Sequence, residues 1–430
     1  MLSFNTRSQT AHSFDSDIPL HLDSWSTESA NTKGFTFRVF RSIEELKQLR
    51  PAWERLLESV PSATMFSTWE WLSSWWRAYG SGRELLTFGC TDSEGELIGL
   101  APLSLQTQRT HSGLKLRVIT LAGDGSGDSD NLDLIIRPGA EHAFLATLLC
   151  HLKKVGGWDL ARFNTMPDDS PTAALLAGEL GRRRWTHFQH LQPGTVIDLP
   201  HDWETYRQRL SYNERGQLGK YMRRLEKKYK VTLRKCRVHS NLEAELSLFF
   251  DLHQRRWLLK GEPGSFASDA RRRFFQELSI HLLSREWLEL WLLDLNGISV
   301  AGEFDFRYRD TVHSLQVGYD PKYSEDHVGY ALRGYLLRQF ISDGVRHYDF
   351  LAGAGGYKER WAGRVTHYRN IEFAVPFSRG SGYLRFIHNA SAPKRWLRTH
   401  LSARSQSTLR SIHLRLNKFL KGDVTRQPNS

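Results

Sequence analysis

The chain has 430 residues, 40% hydrophobic and 25% charged, with 59 Lys and Arg against 47 Asp and Glu for a formal net charge of +12. Such a composition excludes a wholly disordered chain, a collagen and a coiled coil, and the length predicts two or three domains. No run of about 18 uninterrupted apolar residues occurs, so no transmembrane helix is expected. The opening residues, MLSFNTRSQTAHSFDSDIPL, lack the apolar core of a secretory signal. Cys90, Cys150 and Cys236 are far apart and form no CxxC, which disfavours a disulfide framework and a zinc cluster. A reducing cytoplasm is the expected compartment. The basic excess favours anionic partners (nucleic acid, acidic lipid or a phosphate-bearing cofactor), or is simply a solvated surface.

Residues 1–34 are polar and aperiodic and read as a flexible leader. FTFRVF at 35–40 alternates as a strand, and Ser42 with Glu45 has capping-box spacing at the start of a helix running to about Val60. Ser67 with Glu70 predicts a second capped helix, whose stripe of Trp69, Leu72, Trp76 and Tyr79 reads as core. Strand signals follow at 85–90, 97–106, 117–123 and 132–136, the first two joined through a turn at Gly95. A helix over 141–154, a strand over 158–164, a helix over 171–182 and a strand over 185–199 close the first half. The second half opens with a long basic helix from Thr205 to about Lys230, then helices near 241–260 and 269–284. Asn296-Gly297 predicts a tight hairpin between 287–295 and 298–308. A strand over 311–319, a helix near 328–342 ending at Gly344, a strand at 347–351 and a last strand near 366–376 complete the pattern.

The halves rhyme. TFGCTDSEGELIGLAPL (87–103) and WLLDLNGISVAGEFDF (291–306) both read strand, Asp, turn Gly, then a strand with small residues: Gly99 in one, Ala301 and Gly302 in the other. GGWDLARF (156–163) echoes GVRHYDFL (344–351). Helices, an antiparallel meander, a helix and a further strand recur in each, an α/β (α+β) pattern met twice. Small residues weaken a strand unless a backbone or a ligand must come close, and Gly318 fits the same idea. The predicted organisation is a leader, domains over 35–200 and 205–376, and a basic tail over 377–430.

Four segments in order carry a resemblance: LSYNERGQLGKYMRRLEKKY, LHQRRWLLKGEPGSF, GYDPKYSEDHVGYAL and YDFLAGAGGYKERWAG. They resemble the GNAT-type acyltransferases associated with cellulose and exopolysaccharide biosynthesis, the CelD-like group, which is similar in turn to the Fem-type peptidyltransferases. The resemblance implies tandem GNAT-like domains, each a mostly antiparallel sheet flanked by helices, and transfer of an acyl group from acyl-CoA to an amine or sugar, with no metal. It implies a splayed strand pair for the pantetheine arm and a helix start for the pyrophosphate, where backbone amides and the helix dipole favour phosphate. On this chain that start is DHVGYA, so Gly318, His327, Val328, Gly329, Tyr330 and Ala331 are the candidate cofactor-binding residues, with Asp326 standing where the family has a basic or amide residue.

Amine acylation needs a deprotonated nucleophile, a polarised carbonyl and a proton for the leaving thiolate. Lys358 is the candidate for stabilising the oxyanion or holding an anionic acceptor, and Asp349 for orienting the amine or acting as base. His253 and Arg256, three apart on a helix, are candidates for an acceptor carboxylate or phosphate. Tyr357 is a candidate proton donor, and Glu303 a base acting through water. LAGDGSGDSDNLDL (121–134) lacks the spacing and terminal Glu of a calcium-binding EF-hand and reads as a solvated turn. In the tail, Leu409, Ile412, Leu416 and Phe419 recur among basic residues, predicting a helix for peripheral contact at the inner membrane face or for packing on the body. The leading function is an acyl-CoA-dependent acyltransferase acting on envelope or exopolysaccharide precursors. The alternatives are an aminoacyl-tRNA-dependent Fem-like enzyme and a catalytically silent glycan-binding scaffold.

Overall fold

The computed structural model describes residues 30–32, 35–110, 113–259, 261–353 and 356–400. In the first half β1 (Ala30–Thr32), β2 (Phe35–Phe40), α1 (Ile43–Gln48), α2 (Arg50–Ser59) and α3 (Trp69–Tyr79) precede a meander of β3 (Glu84–Thr91), β4 (Leu97–Arg109) and β5 (Lys115–Leu121). Then come β6 (Ile135–Ile136), α4 (Glu141–Val155), β7 (Leu160–Pro167), α5 (Pro171–Arg182) and β8 (Thr186–Asp198). The second half has α6 (Trp203–Arg209), α7 (Tyr212–Lys228), β9 (Val231–Lys235), α8 (His239–Leu258) and α9 (Asp269–Ser284). It continues through β10 (Leu288–Leu295), β11 (Ile298–Tyr308), β12 (Thr311–Tyr319), α10 (Val328–Ser342), β13 (His347–Ala352), α11 (Gly356–Glu359), β14 (Arg364–Ala374) and α12 (Arg379–His400).

Several expectations change for local reasons. Ser42 and Glu45 do form the capping box, but the helix after it breaks at Leu49. Pro51 has no N–H to return to the preceding turn, so the ladder restarts there. Thr68, not Ser67, caps α3 by accepting the Trp71 N–H. The fully buried face of α3 carries Trp71 and Trp75, which the sequence stripe omits. The long basic helix is two helices, because Leu210 is extended and Ser211 caps α7 through the Glu214 N–H. Residues 30–32 pair with β2 and so do not belong to a flexible leader. The rest of that leader, and the amphipathic pattern at 409–419, lie outside the described residues.

All the strands join in one sheet, in the order β1-β2-β3-β4-β5-β7-β14-β8-β13-β12-β11-β10-β9, with β6 added beside β4. Among the described residues only β5–β7 and β12–β13 are parallel. The echo between halves is therefore topological: each has an antiparallel meander that ends in one parallel pair. The division near residue 200 follows the chain and not the sheet, because β14 lies between β7 and β8 while β8 also pairs with β13.

One hydrophobic cluster runs through both halves. Trp71 of α3 meets Phe274 of α9 edge-on at 5.2 Å, and Phe66 meets Phe306 of β11 at 5.5 Å. Arg309 ties the halves further by donating to the carbonyls of Leu57 and Pro61, each at 2.8 Å. A second cluster fills the space between the sheet and α7 with α10. The start of α12 packs on the first half, with Leu384 buried beside Leu116, Val118 and Leu160.

The small strand residues make room for packing and not for ligand. A Cβ on Gly99 would lie 2.4 Å from the Phe144 ring, and one on Gly302 2.9 Å from Leu292. At Gly318 it would lie 2.4 Å from the backbone nitrogen of His253, because α8 crosses β12 there.

Candidate active site

The site begins where two strands part. β12 and β13 pair at Thr311 with His347, Val312 with Tyr348 and His313 with Asp349, and then diverge. On its other side β12 is bulged: Phe304 faces Gln316 and Asp305 faces Ser314, leaving Leu315 as the extra residue. The far end of β13 is also irregular. Its register against β8 shifts between Asp349 and Ala352, and Leu351 is held at φ 62°. Such a conformation is costly for a branched residue and persists where its surroundings enforce it. Here Asp349 accepts the Leu351 N–H at 2.7 Å.

Two adjoining cavities open in this gap. One, of about 290 Å³, is lined by the start of α10 with Tyr319, Arg360 and Trp361. The other, of about 500 Å³, lies against α8, β12 and the end of β13, and is completed by Asp128 and Asp130 of the first half. They share Arg256, Val317, Arg333 and Tyr357. The α10 start has no side-chain cap, and His327 precedes it in the left-handed region at φ 54°. The Val328 and Gly329 amides, in the first turn, have no carbonyl within the helix to bond. Asp326 does not face this opening. It accepts from Lys228 at 2.9 Å and Tyr229 at 2.8 Å, with Arg224 at 3.3 Å, which fastens the loop to the end of α7. Its burial raises the carboxyl's pKa, but these partners outweigh that and hold it below its ordinary value.

Arg333 stands where the cavities meet. Its Nη2 and Nε donate to Glu303 at 2.9 and 3.2 Å, and its guanidinium lies 4.9 Å over the Phe350 ring. Ser314 at 3.1 Å and the Tyr348 hydroxyl donate to the same carboxylate oxygen. Burial lowers the guanidinium's pKa, but Glu303 more than reverses this, so Arg333 remains a cation. Beside them, burial and the neighbouring Glu303 push Asp305 well above the carboxylate range. The fully buried Glu303 thus anchors Arg333 and is not open to water as a base.

The sequence candidates fall into different places. His327, Val328, Gly329 and Tyr330 line the smaller cavity, whereas Ala331 is fully buried behind them and Gly318 lines neither. Arg256 is well placed, donating to the Val317 carbonyl at 2.9 Å beside both cavities. His253 lines the larger cavity, but its Nε2 accepts from Trp257 at 3.0 Å and contacts Gln316 at 3.2 Å. Burial, with Arg256 nearby, pushes it down to about 4, so it is neutral. Tyr357 is exposed and touches both cavities. Lys358 is buried, and its ammonium meets the carbonyls of Phe350, Leu351, Ala352 and Gly353 at 2.9–3.1 Å. Three protons facing four carbonyls make it a brace on this turn and leave no donor for an oxyanion. Asp349 lines a third cavity, on the seam between the halves, with His313 at 3.4 Å and Asn131 at 3.3 Å.

Sequence reasoning missed Arg333 and Asp130. Arg333 interrupts an apolar helix face, and Glu303 and Asp305 interrupt an apolar strand; paired charges in two core elements were the available signal. The loop carrying Asp130 is no solvated turn. Asp128 is buried and accepts from Arg271 Nε at 2.7 Å and Tyr79 at 3.0 Å; Asp124 accepts from Asn164 at 2.8 Å. Trp75 and Trp71 donate to Ser126 and Ser129. Among the described residues no group of three or more His, Cys, Asp or Glu side chains could hold a metal ion.

Residues 213–359, about a third of the chain, match the family model described as an acetyltransferase (GNAT) domain. No curated protein matches the chain. Among solved structures, that of FemX is 11% identical, with 79% of this chain and 97% of that chain covered at a TM-score of 0.52. The C-terminal domain of a putative lysylphosphatidylglycerol synthetase from Agrobacterium fabrum is 8% identical over 81% and 97% of the two chains, at 0.47. A tandem GNAT protein from the clavulanic acid biosynthesis pathway is 12% identical over 79% and 99%, at 0.44. The domain match over 213–359 and the likeness to FemX agree on a GNAT-like fold.

Proposed function

We propose that the protein is an acyl-CoA-dependent acyltransferase, with the donor in the smaller cavity and the acceptor in the larger. The observation that carries this reading is the parted β12–β13 pair, with an uncapped helix start on one side and a polar cavity on the other. The first-turn amides of α10 suit a pyrophosphate, with Arg256 and Arg360 adding positive charge. The thioester then lies beside Arg333, a buried, anchored cation able to stabilise charge as it develops on the carbonyl oxygen. Tyr357 supplies the proton to the leaving thiolate. The acceptor is an amine or a sugar and, by the resemblance to the CelD-like group, belongs to exopolysaccharide or envelope precursors.

The test is thermal unfolding with and without acetyl-CoA. Gly329→Glu puts a carboxylate at the mouth of the α10 start, where the new Cβ meets only the Tyr319 ring at 3.2 Å. It should fold, yet lose the stabilisation that acetyl-CoA gives the wild type. Equal stabilisation of both proteins refutes this donor site.

One observation favours an aminoacyl-tRNA donor instead. Arg215, Lys220 and Arg223 of α7, with Arg207 of α6, line a groove of about 420 Å³ that contains no acidic residue. A polyanion would dock there through phosphate contacts, with salt-sensitive affinity. Stabilisation by tRNA and none by acetyl-CoA would select this reading.

A further inference from the structure

We propose that the acceptor is a primary amine, and that Asp130 of the first half receives its ammonium and takes its proton; this rests on the transferase reading above.

The argument starts from which polar groups in the larger cavity are already committed. Asp128 is held by Arg271 and Tyr79, and the Lys358 ammonium by backbone carbonyls. His253 meets Trp257 and Gln316 through Nε2; its buried Nδ1, without a partner among the described residues, is on a neutral ring that cannot pair with an ammonium as a carboxylate does. Asp130 makes one hydrogen bond among the described residues: its Oδ2 accepts the Ala352 N–H at 3.1 Å, beside the strained turn that ends β13. Its second oxygen is left for the cavity. The same cavity presents Trp257 and Tyr357, aromatic rings of the kind that attract a cation. A carboxylate beside aromatic rings recognises an ammonium, whereas a sugar hydroxyl needs neither the charge nor the rings.

The chemistry balances. The bound ammonium gives one proton to Asp130, and the freed nitrogen lone pair attacks the thioester carbonyl carbon. A C–N bond forms and the C–S bond breaks; Tyr357 gives its proton to the departing thiolate and regains one from the nitrogen's surplus proton, and Asp130 returns its proton to water. Burial pushes Asp130 up to about 6, against the Ala352 N–H, in the range of a working base at neutral pH. The charged and titratable groups around it are Asp124 and Asp128 on its own loop, Asp349 on β13, Lys358 on α11 and Tyr368 on β14. Arg333 on α10 and Tyr357 on α11, with Arg256 and His253 on α8, also line the cavity.

The decisive experiment measures thiol release from acetyl-CoA with glucosamine and with glucose, which differ in the amine alone, and with cadaverine, from pH 5 to 9. Wild type and Asp130→Asn are compared, with Asp130→Glu as the conservative variant. Unfolding temperature and acetyl-CoA stabilisation are recorded for each. Asn keeps an oxygen for the Ala352 N–H, so the fold should persist. Wild type should acylate an amine and not glucose, with an acidic limb near pH 6. Asp130→Asn should keep acetyl-CoA stabilisation and lose about 10²–10⁴-fold in turnover at pH 7, recovering toward the amine's own pKa. Asp130→Glu should recover part of the rate. Turnover by Asp130→Asn within threefold of wild type, the same loss at every pH, or acylation of glucose as fast as glucosamine each overturns the proposal. So does a wild type that is stabilised by acetyl-CoA and acylates no amine. A wild type that acetyl-CoA does not stabilise overturns the transferase reading itself.

Discussion

The two halves use the same strand plan and differ in the segment that leaves the last strand of the meander, β5 in one and β12 in the other. Beyond β12 the chain makes a short 3₁₀ turn, Pro321–Asp326, and enters α10 at once, so a helix start lies beside the parting strands. Beyond β5 it runs through the Gly- and Asp-rich loop 122–134, and α4 begins only at Glu141. In the first half, Asp124 and Asn164 bond across the corresponding gap, and the loop crosses to deliver Asp130 to the other half's cavity. One repeat opens its gap as the candidate site, whereas the other closes its own gap and lends that site a loop. The strands alone do not distinguish the halves; the segment following the last strand of the meander does.

That contrast can be broken experimentally. The sharpest break is at two strand glycines, one in each half, that another element approaches closely. Gly318→Ala drives a Cβ into the α8 backbone, which cannot move aside, and should cost about 3 kcal/mol or more in urea unfolding. Gly99→Ala meets only the Phe144 ring, which can shift, and should cost about 1–2 kcal/mol. Equal costs would mean that the α8–β12 crossing is no tighter than the first-half contact. Next is Lys358→Met, which keeps the stem and removes the ammonium from its carbonyl ring. A loss of about 2–3 kcal/mol with a matching fall in turnover is expected, since hydrogen bonds from a charged group are the strong ones. Turnover lost at unchanged stability would return Lys358 to a direct role in the chemistry.

The smallest effect probes the supporting half. Burial pushes Asp133 up to about 7, although the Ser170 hydroxyl and the Leu134 N–H bond to its carboxylate. A carboxyl whose pKa is raised on folding contributes stability below its unfolded value, about 3.9, and that contribution fades as the pH climbs through the folded value. Asp133→Asn cannot titrate. Its unfolding temperature relative to wild type should therefore rise between pH 5 and pH 8, by a degree or two; a flat difference would show that Asp133 ionises freely.

Much of the strand plan was legible because period-2 alternation and turn residues such as Asn296-Gly297 are local signals. The start of α10 was legible for the same reason, and with it His327 to Tyr330. What stayed hidden depends on partners far along the chain. β14 alternates like any strand, but nothing in it names β7 and β8 as neighbours. Lys358 reads as a lysine in a loop; its ring of carbonyls belongs to a turn in which Leu351 adopts φ 62° and Gly353 φ 101°. Asp128 and Asp130 read as solvated because the residues that bind them, Arg271 and Ala352, lie 143 and 222 positions away. The small residues Gly99, Gly302 and Gly318 were legible as close approaches, but what approaches each is protein.

The position of β14 has a consequence for how the chain is made. The ribosome completes residues 35–198, which carry most of the first half, long before it reaches 364–374, the strand that lies against β7 and β8. Until then those two strands keep unpaired edges, a template for association with other chains. Folding of the first half therefore waits until residue 374 has been made, unlike a serial two-domain protein whose leading domain matures while the next is being synthesised. A nascent chain stalled before residue 364 should be held by chaperones, and should not become protease-resistant until β14 emerges.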